Sequence, residues 1–297
     1  MKAPRVLVVH RRSAYTDIVS DRRHPKIKEL IDLGDPLIAS YVEAHEHHRA
    51  SMATVRNALE ERSLDYTWRH HIPDLNPDDF DLVVTVGGDG TVLHASHAIG
   101  KTPVLAVNSS PSTSVGFFTC TDAAGFGAYL DRVMGGEVRP VTLSRMEVSV
   151  NDEIVTDRAL NDVLFCHDCP ASMTRYILMF DGVREDQISS GVWVGTAAGS
   201  TAALRAAGGK PMSPRSKRLQ FVVREPFPRG GAMSSRFPSA IKGMIPDGHR
   251  LTIFSKTEVA MLYVDGPHVV FSVNFGDKVT YRRSDNPLSL FIDDDKN

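Results

Sequence analysis

The chain has 297 residues, a formal net charge of −2 and a sequence pI of about 6.6. Apolar residues make up 42% and charged residues 24%, the balance of a soluble globular protein with enough chain for two modest domains. Without a basic excess no nucleic-acid footprint is expected, so a polyanionic partner has to be gripped locally. The longest apolar runs fall far short of a membrane span.

Met1-Lys2-Ala3-Pro4-Arg5 leads straight into a β-type run with no apolar or Ser/Arg-rich leader, and a cytoplasmic protein is expected. Val6–Val9 reads as a first buried strand. Residues 11–36 are polar and broken by Pro25, Gly34 and Pro36, a long surface excursion. Leu37–Arg62 has helical texture without Gly or Pro, and the helix cannot run on through Pro73 and Pro77. Leu82–Val86 is a second buried strand running into Gly87-Gly88-Asp89-Gly90-Thr91. A helix over Val92–Ile99 and a strand over Pro103–Val107 come next. Strand, helix, strand in this order predicts a Rossmann-like parallel α/β sheet. A short helix near Ala123–Met134 stops at Gly135-Gly136.

Past about residue 140 the pattern becomes short β-type runs: Met146–Val150, Ala159–Phe165, Arg175–Phe180, Val192–Val194, Leu219–Val223, Leu251–Phe254, Met261–Val264 and Val269–Val273. Turn signals such as Asn151-Asp152, Asp181-Gly182 and Asp265-Gly266-Pro267 separate them. The expected organisation is an α/β domain over residues 1–138 and a β-rich, sandwich-like domain over 139–297. About the last twenty residues are expected to pack back on the first domain. The tail Asp293–Asn297 is expected to fray.

Three cysteines are too few for a disulfide framework. Cys166 and Cys169 form a C-x-x-C without a second ligand pair for zinc, and reduced thiols at a strand end are expected over a redox or metal role. His45, His47 and His48 are expected on a solvated helix face.

Three segments carry chemistry. In Gly87–Thr91 the glycines let backbone approach an anion, and the adjoining helix offers free amides and a positive dipole end. A carboxylate there would repel phosphate unless it accepts or orients a hydroxyl proton, the role assigned to Asp89. An ordinary Asp-Gly turn is the plain alternative, and no P-loop is present. The second segment, Asn161-Asp162, sets an amide beside a carboxylate inside an apolar strand, fit for ribose hydroxyls or an amide; by itself a strand-edge role serves as well. The third, Ser189–Gly209, is a strand feeding small residues and a short Ala-rich helix. A nucleobase can lie on its backbone with Ser200 and Thr201 in reach, or the small residues can serve a tight packing joint.

Together these segments resemble the NAD kinase family, whose patterns are Gly-Gly-Asp-Gly-Thr, an Asn-Glu pair in an apolar strand, and a Thr-Gly-Ser-Thr-Ala-Tyr-like stretch before Gly-Gly. Here they stand as Gly87–Thr91, Asn161-Asp162 and Ala198–Ala203 with Gly208-Gly209, and Val264-Asp265-Gly266 fits the C-terminal pattern. Within the family, Val86–His97, Cys169–Ala171, Thr196–Ala203 and Leu219–Pro226 look like the plant-type NADH kinase branch. The chain departs from the common pattern at Ser190 (usually Asp), Ala197-Ala198 (Pro-Thr), Ala203 (Tyr) and Asp162 (Glu).

The resemblance implies transfer of a phosphoryl group from ATP to the adenosine 2′-hydroxyl of NAD⁺ or NADH, NADH being a serious candidate, and a homo-oligomer, at least a dimer. Asp89 is expected to deprotonate the hydroxyl while amides of Gly88, Gly90 and Thr91 steady a triphosphate whose Mg²⁺ travels with ATP. The family patterns place dinucleotide or nucleotide contacts at Asn108, Asn161, Asp162, Thr196, Ala198, Gly199, Ser200, Thr201, Ala202, Ala203 and Asp265. His94, expected on the first helical turn after the glycines, is either a phosphate contact or a packing residue. Two alternatives are a lipid kinase of the diacylglycerol or sphingosine type, sharing the glycine loop, and an idle dinucleotide sensor.

Overall fold

The computed structural model describes residues 4–13, 15–17, 25–70, 72, 75–112, 116–228 and 239–292. The tail beyond Ile292 and Pro73 lie outside the described residues. The chain divides into unit 1, Met1–Val141 with Ser289–Asn297, and unit 2, Thr142–Leu288.

Unit 1 opens with β1 (Arg5–His10), α1 (Pro25–Asp32), α2 (Pro36–Glu61) and β2 (Asp65–Arg69). It continues through β3 (Leu82–Gly87), α3 (Asp89–Ser96), β4 (Val104–Asn108), the two-residue β5 (Thr121–Asp122) and α4 (Phe126–Met134). Val6–Val9 and Leu82–Val86 are continuous apolar or β-branched runs buried on both faces, as a parallel sheet covered on both sides requires. Asp35 starts α2 by accepting the Leu37 amide, with Pro36 in the first turn where its missing N–H costs nothing. Strands β2, β1, β3 and β4 lie side by side in that order and all pair in parallel. Beyond β4 the sheet takes β19 (Leu288–Phe291), parallel to β4, and then β6 (Val141–Leu143). β2 was not expected: its Asp-Tyr-Thr-Trp-Arg has no apolar run, and it forms because β1 offers an open parallel edge. The excursion at 11–36 likewise contains the helix α1.

Unit 2 is a pair of six-stranded antiparallel sheets. One runs β11 (Val183–Ser189), β10 (Thr174–Phe180), β15 (Arg250–Ser255), β18 (Lys278–Arg283), β7 (Met146–Val150), β8 (Glu153–Ala159). The other runs β14 (Lys242–Ile245), β13 (Leu219–Arg224), β12 (Gly191–Gly195), β9 (Asp162–His167), β16 (Val259–Val264), β17 (Val269–Asn274). Inward residues of both, including Phe165, Tyr176, Phe221, Leu262 and Tyr281, form one continuous core. Two predicted turns are tight hairpin connections with positive φ at both central residues: Asn151-Asp152 and Asp181-Gly182. After β12 a 3₁₀ turn over Ala198–Thr201 leads into the one-turn helix α5 (Ala203–Ala206).

One expectation fails in the helices. His48 is buried: its ring nitrogens lie 2.8 Å from Ser109 Oγ and 2.8 Å from the Arg11 carbonyl, and burial holds the ring below its ordinary pKa. His45 meets Ser13 Oγ at 2.6 Å and stacks on Tyr15, so of the three histidines His47 stays on an exposed face. α2 crosses over the ends of β1 and β4, where a solvated histidine pair has no place. Cys120, Cys166 and Cys169 are free thiols, and burial pushes Cys166 up. Among the described residues no helix is long and apolar enough to cross a membrane.

Candidate active site

In unit 1 the buried strand β3 ends at Gly87, and α3 begins at Asp89, three residues earlier than expected. Gly87 must be glycine because a Cβ there would lie 2.1 Å from Thr91 Oγ1. Asp89 occupies the first position of α3, where the helix dipole favours its charge. Its two carboxylate oxygens accept the backbone amides of Phe117 (2.9 Å) and Phe118 (2.8 Å). These bonds fix the side chain and leave lone pairs on each oxygen for a hydroxyl proton. The Thr91 amide donates to the Gly88 carbonyl at 2.9 Å, so of the three amides expected to meet phosphate, those of Gly88 and Gly90 have no acceptor among the described residues. Thr91 is buried, and its hydroxyl has no hydrogen-bond partner among the described residues.

Asn108 ends β4 opposite Gly87 and is buried; its Oδ1 accepts the Ser110 amide at 3.1 Å. It organises the loop beside the glycines. Because α3 starts at Asp89, exposed His94 falls in its last turn, a correction to the first-turn placement, and that end of a helix presents carbonyls rather than amides.

In unit 2 Asn161 lies in a bend and Asp162 begins β9, so the pair marks a strand's entry rather than its interior. The reason is Asp265, held at φ 50 after β16. Its carboxylate accepts three consecutive amides: Leu160 (2.8 Å), Asn161 (2.6 Å) and Asp162 (3.0 Å). Asp265, expected near the reacting ribose, is therefore the clamp of the Asn161-Asp162 turn. Asn161 Nδ2 donates to Asp162 Oδ2 at 3.2 Å. Asp162 is 5% exposed, and burial, then the charge of Asp265, raises its carboxyl to about 7.

The small-residue segment packs against this turn. Thr196 donates its hydroxyl to the Leu160 carbonyl and its amide to the Asn161 carbonyl. A Cβ on Gly199 would lie 2.1 Å from the Asn161 oxygen. The Ser200 hydroxyl is committed, donating to the Ala197 carbonyl and accepting the Met212 amide. Ala198 is buried, whereas Thr201 and Ala202 are exposed. Ala203 lines a cavity of about 630 Å³ with Trp193, Ala207, Gly208 and Arg224. Trp193 and Arg224 were missed; an aromatic at an outward position of a strand flanked by glycines was the available signal. Among the described residues no cluster of three or more His, Cys, Asp or Glu is arranged to hold a metal ion.

A parallel sheet with a glycine-rich, carboxylate-bearing turn, joined to a two-sheet sandwich, is the build of a known class of nucleotide-handling kinases. The yeast NADH kinase solved with NADH aligns over 100% of this chain and 85% of its own at a TM-score of 0.70, with 18% sequence identity, a likeness of fold. The profile of the ATP-NAD kinase N-terminal domain matches residues 12–138. A probable NADH kinase of Oryza sativa subsp. japonica is 33% identical over 284 residues, spanning 88% of this chain and 86% of that protein. The NADH kinase of Arabidopsis thaliana is 36% identical over 237 residues, spanning 72% and 73%. The chain belongs to the NAD kinase family, and its plant relatives bear the NADH kinase name. The lipid-kinase alternative draws no support from them.

Proposed function

We propose that this protein transfers the γ-phosphoryl group of ATP to the adenosine 2′-hydroxyl of NAD(H), giving NADP(H), with NADH the preferred acceptor. The observation that carries the reading is Asp89: a carboxylate fixed by two backbone amides at the first position of a helix whose glycine amides stand without acceptors among the described residues. A fixed base beside unpaired amides suits phosphoryl transfer, which needs alignment and charge stabilisation rather than a covalent intermediate.

Asp89 takes the proton of the attacking hydroxyl, and the amides of Gly88 and Gly90 steady the transferring phosphate. Thr91 Oγ1 supplies a further polar contact. Mg²⁺ carried by ATP as part of the substrate would offset charge on its phosphate oxygens. In unit 2 the Asn161-Asp162 turn holds the dinucleotide through hydroxyl and amide contacts, with Thr201 and Ala203 presented on the adjoining small-residue surface. With its carboxyl raised to about 7, Asp162 carries a proton in about half of the molecules at neutral pH, and that form donates as well as accepts a hydrogen bond, which matches a ribose hydroxyl. Ala203, with no ring to stack, leaves base recognition to backbone and to Trp193. The plant relatives named NADH kinase support the preference for the reduced dinucleotide. A homo-oligomer in cytoplasm completes the reading.

The test is steady-state kinetics with NADH and NAD⁺ as acceptors, ATP as donor, on the protein and on Asp89→Asn. The variant is expected to lose about two to four orders of magnitude in kcat, with dinucleotide affinity changed less than threefold. Near-normal turnover in Asp89→Asn refutes the assigned base.

A further inference from the structure

Phosphoryl transfer does not account for a cavity of about 280 Å³ in unit 2, where β9 turns toward β10. Cys166 and Cys169 both line it, together with His167, Ser190, Arg224 and Tyr263. Cys166 is half-buried on β9 and Cys169 is exposed in the turn that follows, both as free thiols. No three of Cys166, His167, Asp168 and Cys169 are placed to hold a metal ion, which leaves the chemistry of the thiols themselves.

The two cysteines are held unequally. β12 passes so close to Cys166 that a Cβ on Gly191 would lie 2.9 Å from the Cys166 Cβ, so Cys166 has no room to withdraw. Cys169 is tethered more locally. Its amide donates toward His167 Nδ1 (3.0 Å) and Asp168 Oδ1 (2.7 Å), and its carbonyl accepts the Ser172 amide at 3.1 Å. The His167 ring is itself tied to Asp168, Nδ1 to Oδ1 at 2.6 Å. Burial holds the Cys166 thiol above its ordinary pKa, against the pull of the Arg224 guanidinium, so this thiol is protonated at rest. The exposed thiol therefore meets an oxidant first, and the fixed one shares its cavity.

We infer that Cys166 and Cys169 are a reversible dithiol–disulfide pair, oxidised by exchange with a small-molecule disulfide, and that the closed bridge weakens dinucleotide binding through Arg224. In the first step the Cys169 thiolate attacks one sulfur of the small disulfide, whose S–S bond breaks; a mixed disulfide forms and one thiolate leaves. In the second, the Cys166 thiolate attacks the Cys169 sulfur, the Cys166–Cys169 bond forms, and the other small thiolate leaves. The protein thiols give up two electrons and two protons, and the small disulfide takes both to become two thiols. A shared cavity makes the second step intramolecular. Because Cys166 cannot retreat, the turn at Cys169 makes the movement, toward the wall that Arg224 and Glu225 form. That wall is shared, since Arg224 and Glu225 also line the cavity of about 630 Å³ beside Ala203 and Trp193. The effect on dinucleotide binding rests on the NAD(H) kinase reading; the thiol exchange does not.

The whole protein is equilibrated with oxidised glutathione, quenched in acid and weighed intact by mass spectrometry. Of its three cysteines, the unaltered protein is expected to keep one thiol titratable after unfolding, that of the buried Cys120, and to lose the mass of two hydrogens. Cys166→Ser is expected to stop at the mixed disulfide, one glutathionyl group heavier, and Cys169→Ser to form no bridge. In the oxidised protein KM for NADH is expected to rise at least threefold, with KM for ATP within twofold, and to return on treatment with dithiothreitol. An unaltered protein that keeps all its thiols, or that stops at the mixed disulfide, overturns the pair. A bridged protein with an unchanged KM for NADH overturns the coupling through Arg224. Absence of NADP(H) from the reduced protein with ATP refutes the kinase reading instead, and the mass measurement still decides on the thiols.

Discussion

Replacing Asp162 with Asn removes one charge from a buried site while keeping shape and the contact with Asn161. In the folded protein the Asp162 carboxyl titrates at about 7 against 3.8 ordinarily, because burial and then Asp265 disfavour its charge. A raised carboxyl stabilises the fold fully below the unfolded value, and that stability is lost as pH climbs through the folded value. Each pH unit in the window costs about 1.4 kcal/mol, so the wild type gives up about 4 kcal/mol between pH 4 and pH 8. The Asn variant has no such proton to release. In urea unfolding at pH 4.5, 6 and 8, its stability relative to wild type is expected to rise by about 3 kcal/mol from the first pH to the last. Most of the gain falls below pH 7. Two stability curves that run parallel across this range would show that Asp162 ionises normally, and the description of the turn as a neutral-carboxyl donor would fail.

Two further substitutions probe the loops. Thr91→Val exchanges a buried hydroxyl, unpartnered among the described residues, for a methyl; stability is expected to hold or gain up to about 1 kcal/mol, while KM for ATP rises at least threefold. An unchanged KM removes the ligand contact assigned to that hydroxyl. Gly199→Ala forces a methyl toward the Asn161 carbonyl oxygen, which would lie 2.1 Å away. It is expected to cost about 1–3 kcal/mol and to weaken dinucleotide binding, read by thermal unfolding and by titration with NADH. An unshifted melting temperature would mean the 3₁₀ turn moves aside freely.

The elements legible in the sequence were those with uniform burial. Val6–Val9 and Leu82–Val86 are covered on both faces, so their composition alone marks them. β8, β11 and β18 were missed because each is half exposed: Asp157-Arg158 in Glu153–Ala159 and Arg184-Glu185-Asp186 in Val183–Ser189 break the two-residue alternation of a half-buried strand, and the strand's identity comes from a hairpin partner. The glycine loop and its carboxylate were readable, since side-chain bulk and charge at a strand's end are local properties. The true roles of Asp265 and Ser200 were not. Asp265 reaches amides more than a hundred residues away, and the Ser200 hydroxyl is claimed by Ala197 and Met212. Which polar groups are spent on the backbone is decided by tertiary hydrogen bonding, which one-dimensional spacing does not record. His48 belongs to the same class: its partners Ser109 and Arg11 come from other strands' ends.

β19 is supplied from beyond unit 2 in the chain, with Leu290 and Phe291 pairing against Val104 and Leu105. Unit 2 is therefore nested within unit 1, as an insertion between the sheet's sixth strand in sequence and its last. During synthesis that stretch of the β4 edge stays unpaired until all of unit 2 and then β19 have left the ribosome, so the nascent protein carries a sticky edge while the whole of unit 2 is being made. A premature stop before Leu288 would strip the parallel sheet of an interior strand, not a dispensable tail. Grafting unit 2 onto another scaffold requires two junctions rather than one.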